Sequence, residues 1–148
     1  ITLASVTRSV IIAFISICIF QFFIEIEIKN YFTLISFTLL SSFILGALGI
    51  ITGLWAEKFD HMATVTNFII IPLSFLSGTF YTIDKLPVYL HLISQANPFF
   101  YMIDGFRYSF IGQSDGSIII GFFYLTILSF IMWMVAYLLY KKGYKIKS

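Results

Sequence analysis

The sequence has 148 residues, of which 59% are hydrophobic and only 11% are charged. Soluble domains carry about 25% charged residues, so this chain cannot cover a water-soluble globule with polar surface. Its formal net charge of +2 is too small to suggest nucleic acid as a partner. The composition therefore predicts an integral membrane protein.

Four apolar stretches are long enough to cross a bilayer as helices, which takes about 20 residues for ~30 Å of hydrocarbon. Segment A carries Arg8 near its start, whereas segments B, C and D carry no charge. The segments cover residues 5–24 (A), 31–55 (B), 62–81 (C) and 117–140 (D). The predicted fold is an all-α membrane domain with four spanning helices.

Segment B presents a continuous face of small residues. Its members repeat at helical spacing within a fan of ~80°, and they are Thr38, Ser42, Gly46, Gly49 and Gly53. Small side chains let the backbones of spanning helices approach closely. We therefore interpret this face as a helix-packing surface.

Segment C carries a polar face and a proline. The face consists of Thr64, Asn67, Ser74 and Gly78. Asn67 is costly to leave against lipid, and Pro72 favours a kink because it removes one backbone hydrogen bond. Two interpretations stay open: the face hydrogen-bonds to another helix, or it lines a substrate pathway between the two halves of a dimer.

The connector between segments C and D, residues 82–116, is too apolar for a solvated loop. A short amphipathic helix is predicted over residues 86–95, with Pro87 well placed in its first turn. Asn97-Pro98 then interrupts it. This helix is too short to cross a bilayer.

A second short helix is predicted over residues 99–111, and Gly112 ends it. It is aromatic but carries Asp104 and Arg107 three residues apart, so the two side chains either pair on one face or each reach water. Because neither short helix can span, we predict a re-entrant or interfacial hairpin over about residues 86–111, on the outer side of the bundle.

The distribution of Lys and Arg predicts the orientation. Four lysines follow segment D within residues 141–147, and such clusters mark the cytoplasmic side. Four crossings then place Arg8 and Lys58 inside. The same topology places Lys85 and Arg107 outside, so the connector is extracytoplasmic and the C-terminus is cytoplasmic.

No pattern for catalysis or metal binding is present in the sequence. It contains no G-x-x-x-x-G-K-[ST] phosphate loop, no nucleophile elbow and no HExxH motif. His61 and His91 fall on opposite faces of the membrane in the predicted topology, so they cannot share a metal ion. Cys18 is a single thiol and cannot form an internal disulfide. We predict no catalytic residue, no metal site and no cofactor in this chain.

The region from residue 72 to 115 resembles the signature region of ABC-2-type transporter permeases. The shared features, in chain order, are Pro72 and Gly78, Leu86-Pro87, Asn97-Pro98, Asp104-Gly105-Phe106-Arg107 and Gly112. Those permeases are the membrane subunits of ATP-driven exporters of drugs, polysaccharides and glycolipids. The sequence of residues 101–108 is similar to that of the bacterial inner-membrane branch, which is related to drug and nodulation-factor exporters.

The resemblance covers essentially the whole chain. Family members have six spanning helices, with a re-entrant hairpin between the last two. Segments A to D would be the third to sixth, so we expect a chain that begins at Ile1 to be the C-terminal part of a longer permease. The resemblance also implies a second permease copy, surrounding membrane lipid, and a partner ATPase that binds ATP and Mg²⁺.

The expected function is export of a lipid-linked, polysaccharide or hydrophobic drug-like substrate across the bacterial inner membrane. In that function the polar face of segment C would line the pathway. The outer hairpin would act as a gate, with Pro87, Asn97, Pro98, Asp104 and Arg107 as its candidate residues.

Two alternatives stay open. The chain could be a stand-alone four-helix membrane scaffold, or an intramembrane enzyme. The enzyme would need polar groups that converge inside the membrane, and segment C offers only Asn67, Ser74 and a few hydroxyls for proton transfer.

Overall fold

The computed structural model describes residues 2–23, 25, 27–56, 58–78 and 93–141. The elements in those residues are helices, which confirms the predicted all-α fold. They are α1 (Thr2–Gln21), α2 (Tyr31–Trp55), α3 (Phe59–Val65), α4 (Ile71–Phe75), α5 (Pro98–Ile111) and α6 (Ile118–Lys141), with a π-helical segment, Thr66–Ile70, between α3 and α4.

Among the described residues, three helices are long and apolar enough to cross a membrane. They are α1, α2 and α6, which correspond to segments A, B and D, and α2 has the predicted bounds. Segment C differs from its prediction of 62–81, because its helical path begins at Phe59 and ends at Phe75, with residues 76–78 in a turn. Four crossings therefore stay a prediction.

A proline lies at the irregularity of segment C. Pro72 has no N–H to donate to the carbonyl one helical turn before it. Immediately before Pro72, the N–H of Ile71 donates to the carbonyl of Thr66, five residues back, which is the spacing of a π-helix. A π turn therefore lies directly before Pro72, and Asn67 lies within that turn. The kink at Pro72 stays a prediction.

The central helix of the described fold is α2. It packs against α1, α5 and α6, whereas α3 and α4 make smaller contacts with α2 and α5. The buried apolar core joins α2, α5 and α6 through Phe37, Ile44, Met102 and Leu125. Many large apolar side chains of α1 and α6 remain exposed, as expected for helices that face lipid.

Two glycines bring α5 close to its neighbours. Gly105 faces the ring of Phe37, and a methyl group built on Gly105 would overlap that ring. Gly121 of α6 faces Tyr101 in the same way, with Cδ1 of the ring 2.9 Å from an added methyl group. These contacts were not predicted, because the sequence does not say which helix a glycine meets.

Replacement of Gly105 tests this packing. We expect Gly105→Ala to lower the free energy of unfolding by about 1–3 kcal/mol, because the Phe37 ring or the backbone must move to admit a methyl group. Gly49→Ala is the matched control, since nothing lies within 4 Å of a methyl group added there. Thermal unfolding in detergent measures both, and equal midpoints would contradict the close contact between α2 and α5.

Candidate functional site

Polar groups line the contact between the end of segment C and α5. We call this group the polar junction, and it consists of the side chains of Asn97, Asp104, Arg107 and Asp115 together with the backbone carbonyls of Leu73 and Gly78. Its members come from the end of segment C, from α5 and from the turn that precedes α6.

Asn97 joins two helix ends. Its side-chain oxygen accepts a hydrogen bond from the N–H of Phe99 at 3.0 Å and so caps α5. Its amide nitrogen donates to the carbonyl of Leu73 at 2.6 Å. Pro98 occupies the first helical position, where a missing N–H costs nothing. Asn97 is 2% exposed, so both bonds are shielded from solvent.

Asp104 holds the turn between α5 and α6. Its carboxylate is buried and accepts hydrogen bonds from the N–H groups of Asp115, at 2.8 Å, and Gly116, at 3.1 Å. Burial raises the pKa of Asp104 above its ordinary value, while these two bonds and the charge of Arg107 act in the opposite direction. The carboxyl group therefore has a structural task in orienting the start of α6.

Arg107 connects this turn to segment C. Its guanidinium donates to the carboxylate of Asp115 and, at 2.6 Å, to the carbonyl of Gly78. The ion pair with Asp104 that the spacing suggested is present, but at 3.9 Å it is the longest of these contacts. Asp115 was not predicted, because periodicity along a helix cannot place a turn residue beside it.

The other end of α5 is also held. Lys29 Nζ donates to the carbonyl of Ile111 at 2.6 Å, and the backbone N–H of Lys29 donates to the carbonyl of Ser109 at 2.9 Å. Gly112 has φ of 77°, the left-handed conformation that ends a helix, and its N–H donates to the carbonyl of Tyr108. The contact of Lys29 with the end of α5 joins distant parts of the chain, so the sequence alone did not predict it.

The structure separates the four predicted pathway residues. Thr64 and Asn67 lie on an exposed surface of α3 and the π turn. Ser74 is half-buried and donates to the carbonyl of Ile70 at 2.8 Å. Gly78 is buried in the polar junction with φ of 76°, so it does not share the exposed surface of Asn67.

The small-residue face of α2 is divided in a similar way. Ser42 is buried and donates to the carbonyl of Thr38 at 2.7 Å. Gly46 meets Ser5 of α1, whereas methyl groups built on Gly49 and Gly53 meet nothing within 4 Å. One half of this face thus packs on α1, and the other half is open in the described structure.

Some of the predicted residues lie elsewhere or outside the described ranges. Pro87, His91 and most of the first arm of the hairpin lie outside them, although residues 93–96 form a short helical turn. His61 lies beside the ring of Trp55, with ring centroids 5.5 Å apart. In the described part of the chain, no three His, Cys, Asp or Glu side chains are placed to hold a metal ion.

The sequence matches a known protein family over most of its length. The family model of ABC-2 type transporters matches residues 1–111, which include α1 to α5. The chain belongs to that family. The resemblance seen in the motifs of this ABC-2 chain is therefore confirmed, and the polar junction contains Asn97, Asp104 and Arg107 from those motifs.

Curated relatives of the ABC-2 chain include the inner membrane transport permease YadH of Escherichia coli (strain K12) and its namesake in Shigella flexneri. Each is 27% identical over 143 residues, which cover 97% of this chain and 56% of the relative. The chain thus spans about half the length of the curated relatives it matches. No solved structure matches it significantly.

Two substitutions of Asn97 separate its two bonds. Asn97→Asp keeps the oxygen that caps α5 but loses the amide that donates to Leu73. Asn97→Ala loses both. We expect both variants to be less stable, with a cost of about 1–3 kcal/mol for Asn97→Ala because buried backbone groups lose their partners. Thermal unfolding in detergent measures the midpoints of both variants. A midpoint for Asn97→Ala equal to that of the wild type would contradict the bridging role.

Proposed function

We propose that the chain forms part of the permease subunit of an ABC exporter in a bacterial inner membrane. The family match over residues 1–111 carries this proposal, and the curated relatives are named as inner membrane transport permeases. The substrate would be lipid-linked, a polysaccharide or a hydrophobic drug-like molecule. A separate ATPase subunit would bind ATP and Mg²⁺, and a second permease copy would complete the pathway.

The proposed topology has four crossings, with both ends of the chain in the cytoplasm. Three crossings are supported by α1, α2 and α6. For the fourth, the path from Phe59 to Phe75 is about 25 Å long at ~1.5 Å per residue, and it is bordered by further apolar chain. The clustered lysines at the C-terminal end support the orientation.

The proposed outer hairpin enters the membrane without crossing it. With 14 residues, α5 is about 21 Å long and too short to span. Its first residues lie at the level of Tyr124, whose hydroxyl donates to the carbonyl of Ala96 at 2.8 Å. Its last residues meet Lys29, which lies in the connector between segments A and B. The helix α5 thus runs from the level of Tyr124, within the length of α6, to the connector between segments A and B. This course supports a re-entrant arm.

The proposed pathway surface is the exposed side of α3 and the π turn. An amide that faces lipid is costly, so Asn67 is expected to face a second copy or a water-filled route. The hydroxyl of Thr64, on the same exposed surface, donates to the carbonyl of Asp60. Because the carbonyls of Leu73 and Gly78 bind Asn97 and Arg107, bending at the π turn would move α5 and open the outer end.

Cysteine labelling tests the topology. In a Cys18→Ser background, we expect Gln113→Cys to react with a membrane-impermeant maleimide on intact cells, and Lys58→Cys to react only after the membrane is opened. Both positions are exposed, so their reaction depends on sidedness. Labelling of residue 58, but not residue 113, on intact cells would contradict the orientation.

Replacement of Asn67 tests the pathway. We expect Asn67→Leu to reduce transport per molecule by roughly tenfold, as for a lost contact of about 1.4 kcal/mol, without a change in abundance. Asn67→Gln should keep most of the activity because it keeps the amide. Transport and membrane abundance are measured in one strain that also makes the ATPase. Normal transport per molecule with reduced abundance would show that Asn67 only forms a hydrogen bond to another helix.

A further inference from the structure

A row of aromatic rings lies along one side of α6, toward its C-terminal end. The ring centroids of Phe130 and Trp133 are 6.1 Å apart. Those of Trp133 and Tyr137 are 5.9 Å apart, with the rings stacked at 17° to each other. All three side chains are exposed, and we call them the aromatic row. The buried face of α6 consists of other residues, such as Leu125 and Ala136, so the row is not part of the core.

A lysine continues the aromatic row. Trp133, Tyr137 and Lys141 are four residues apart in turn, and residues at that spacing are neighbours on one face of a helix. Lys141 is exposed and is the last residue of α6. Trp133 lies about 12 Å from Lys141 along the helix axis, within the depth of ~15 Å that the acyl chains of one leaflet occupy. One face thus carries rings at the level of acyl chains and a cation at the level of headgroups.

The positive charge at this end of α6 is larger than that of Lys141 alone. Three more lysines follow within six residues, and no Asp or Glu follows Asp115 in the sequence. Each lysine beside an anionic membrane surface strengthens the attraction about fivefold, whereas a headgroup without net charge gains nothing from it. The lysines therefore favour an anionic headgroup.

We propose that the C-terminal end of α6 binds an anionic phospholipid, with the headgroup at Lys141 and the lysines that follow it, and an acyl chain along the aromatic row. In the proposed topology this lipid belongs to the inner leaflet. A soluble protein fits the row less well, because residues 117–140 carry no charge and the rings lie at the depth of hydrocarbon. The binding requires that α6 crosses the membrane but does not depend on export, so either proposal can fail without the other.

The fluorescence of Trp133 tests the proposal, since bromine atoms on an acyl chain quench tryptophan at contact. The full-length protein, with its other tryptophans replaced by Phe, is placed in mixed membranes of phosphatidylglycerol and phosphatidylcholine, and one of the two lipids is brominated. We expect brominated phosphatidylglycerol to quench Trp133 more strongly than brominated phosphatidylcholine at equal fractions. The matched control is Trp133→Phe with Ile119→Trp, an exposed position near the other end of α6, which the two lipids should quench equally.

The lysines are tested with paired variants. We expect the preference for phosphatidylglycerol to fall by about tenfold when Lys141, Lys142, Lys145 and Lys147 are all replaced by Gln, and to persist when all four are replaced by Arg. High salt should weaken the same preference in the unaltered lysine sequence, which checks the charge effect without a substitution.

Three results would overturn the proposal. Equal quenching of Trp133 by the two brominated lipids would show that the headgroup is not selected. A preference that survives the replacement of all four lysines by Gln would show that they do not bind it. Absence of quenching by either lipid would show that another protein segment, rather than lipid, covers the aromatic row.

Discussion

A helix that is too short to cross a bilayer ends among groups that cannot hydrogen-bond, unless the protein supplies partners for its terminal N–H and C=O groups. α5 is such a helix, and both of its ends have partners. Asn97 caps its first turn and Lys29 binds its last carbonyl. The end of segment C and the connector between segments A and B must therefore come to α5, and this requirement organises the fold around that helix.

The partners of α5 also connect it to segment C. Asn97 and Arg107 each donate to a backbone carbonyl at the end of that segment. These bonds hold the end of segment C against α5. The irregular part of segment C, the π turn before Pro72, lies just beyond this connection.

Arg107 holds the polar junction together. Its guanidinium has the carboxylates of Asp104 and Asp115 and the carbonyl of Gly78 around it. A cation that is satisfied within the fold in this way stabilises that fold.

The sequence by itself determined the properties that depend on neighbouring residues. The apolar lengths predicted α2 residue for residue, and the second short helix, predicted over residues 99–111 and ended by Gly112, differs from α5 by one residue at its start, because spans and caps depend on local composition. Only the tertiary structure decided that Arg107 meets Asp115 and that Gly46 of α2 meets Ser5 of α1. These contacts join distant parts of the chain through helix packing, and the periodicity of one helix carries no information about its rotation or depth against another.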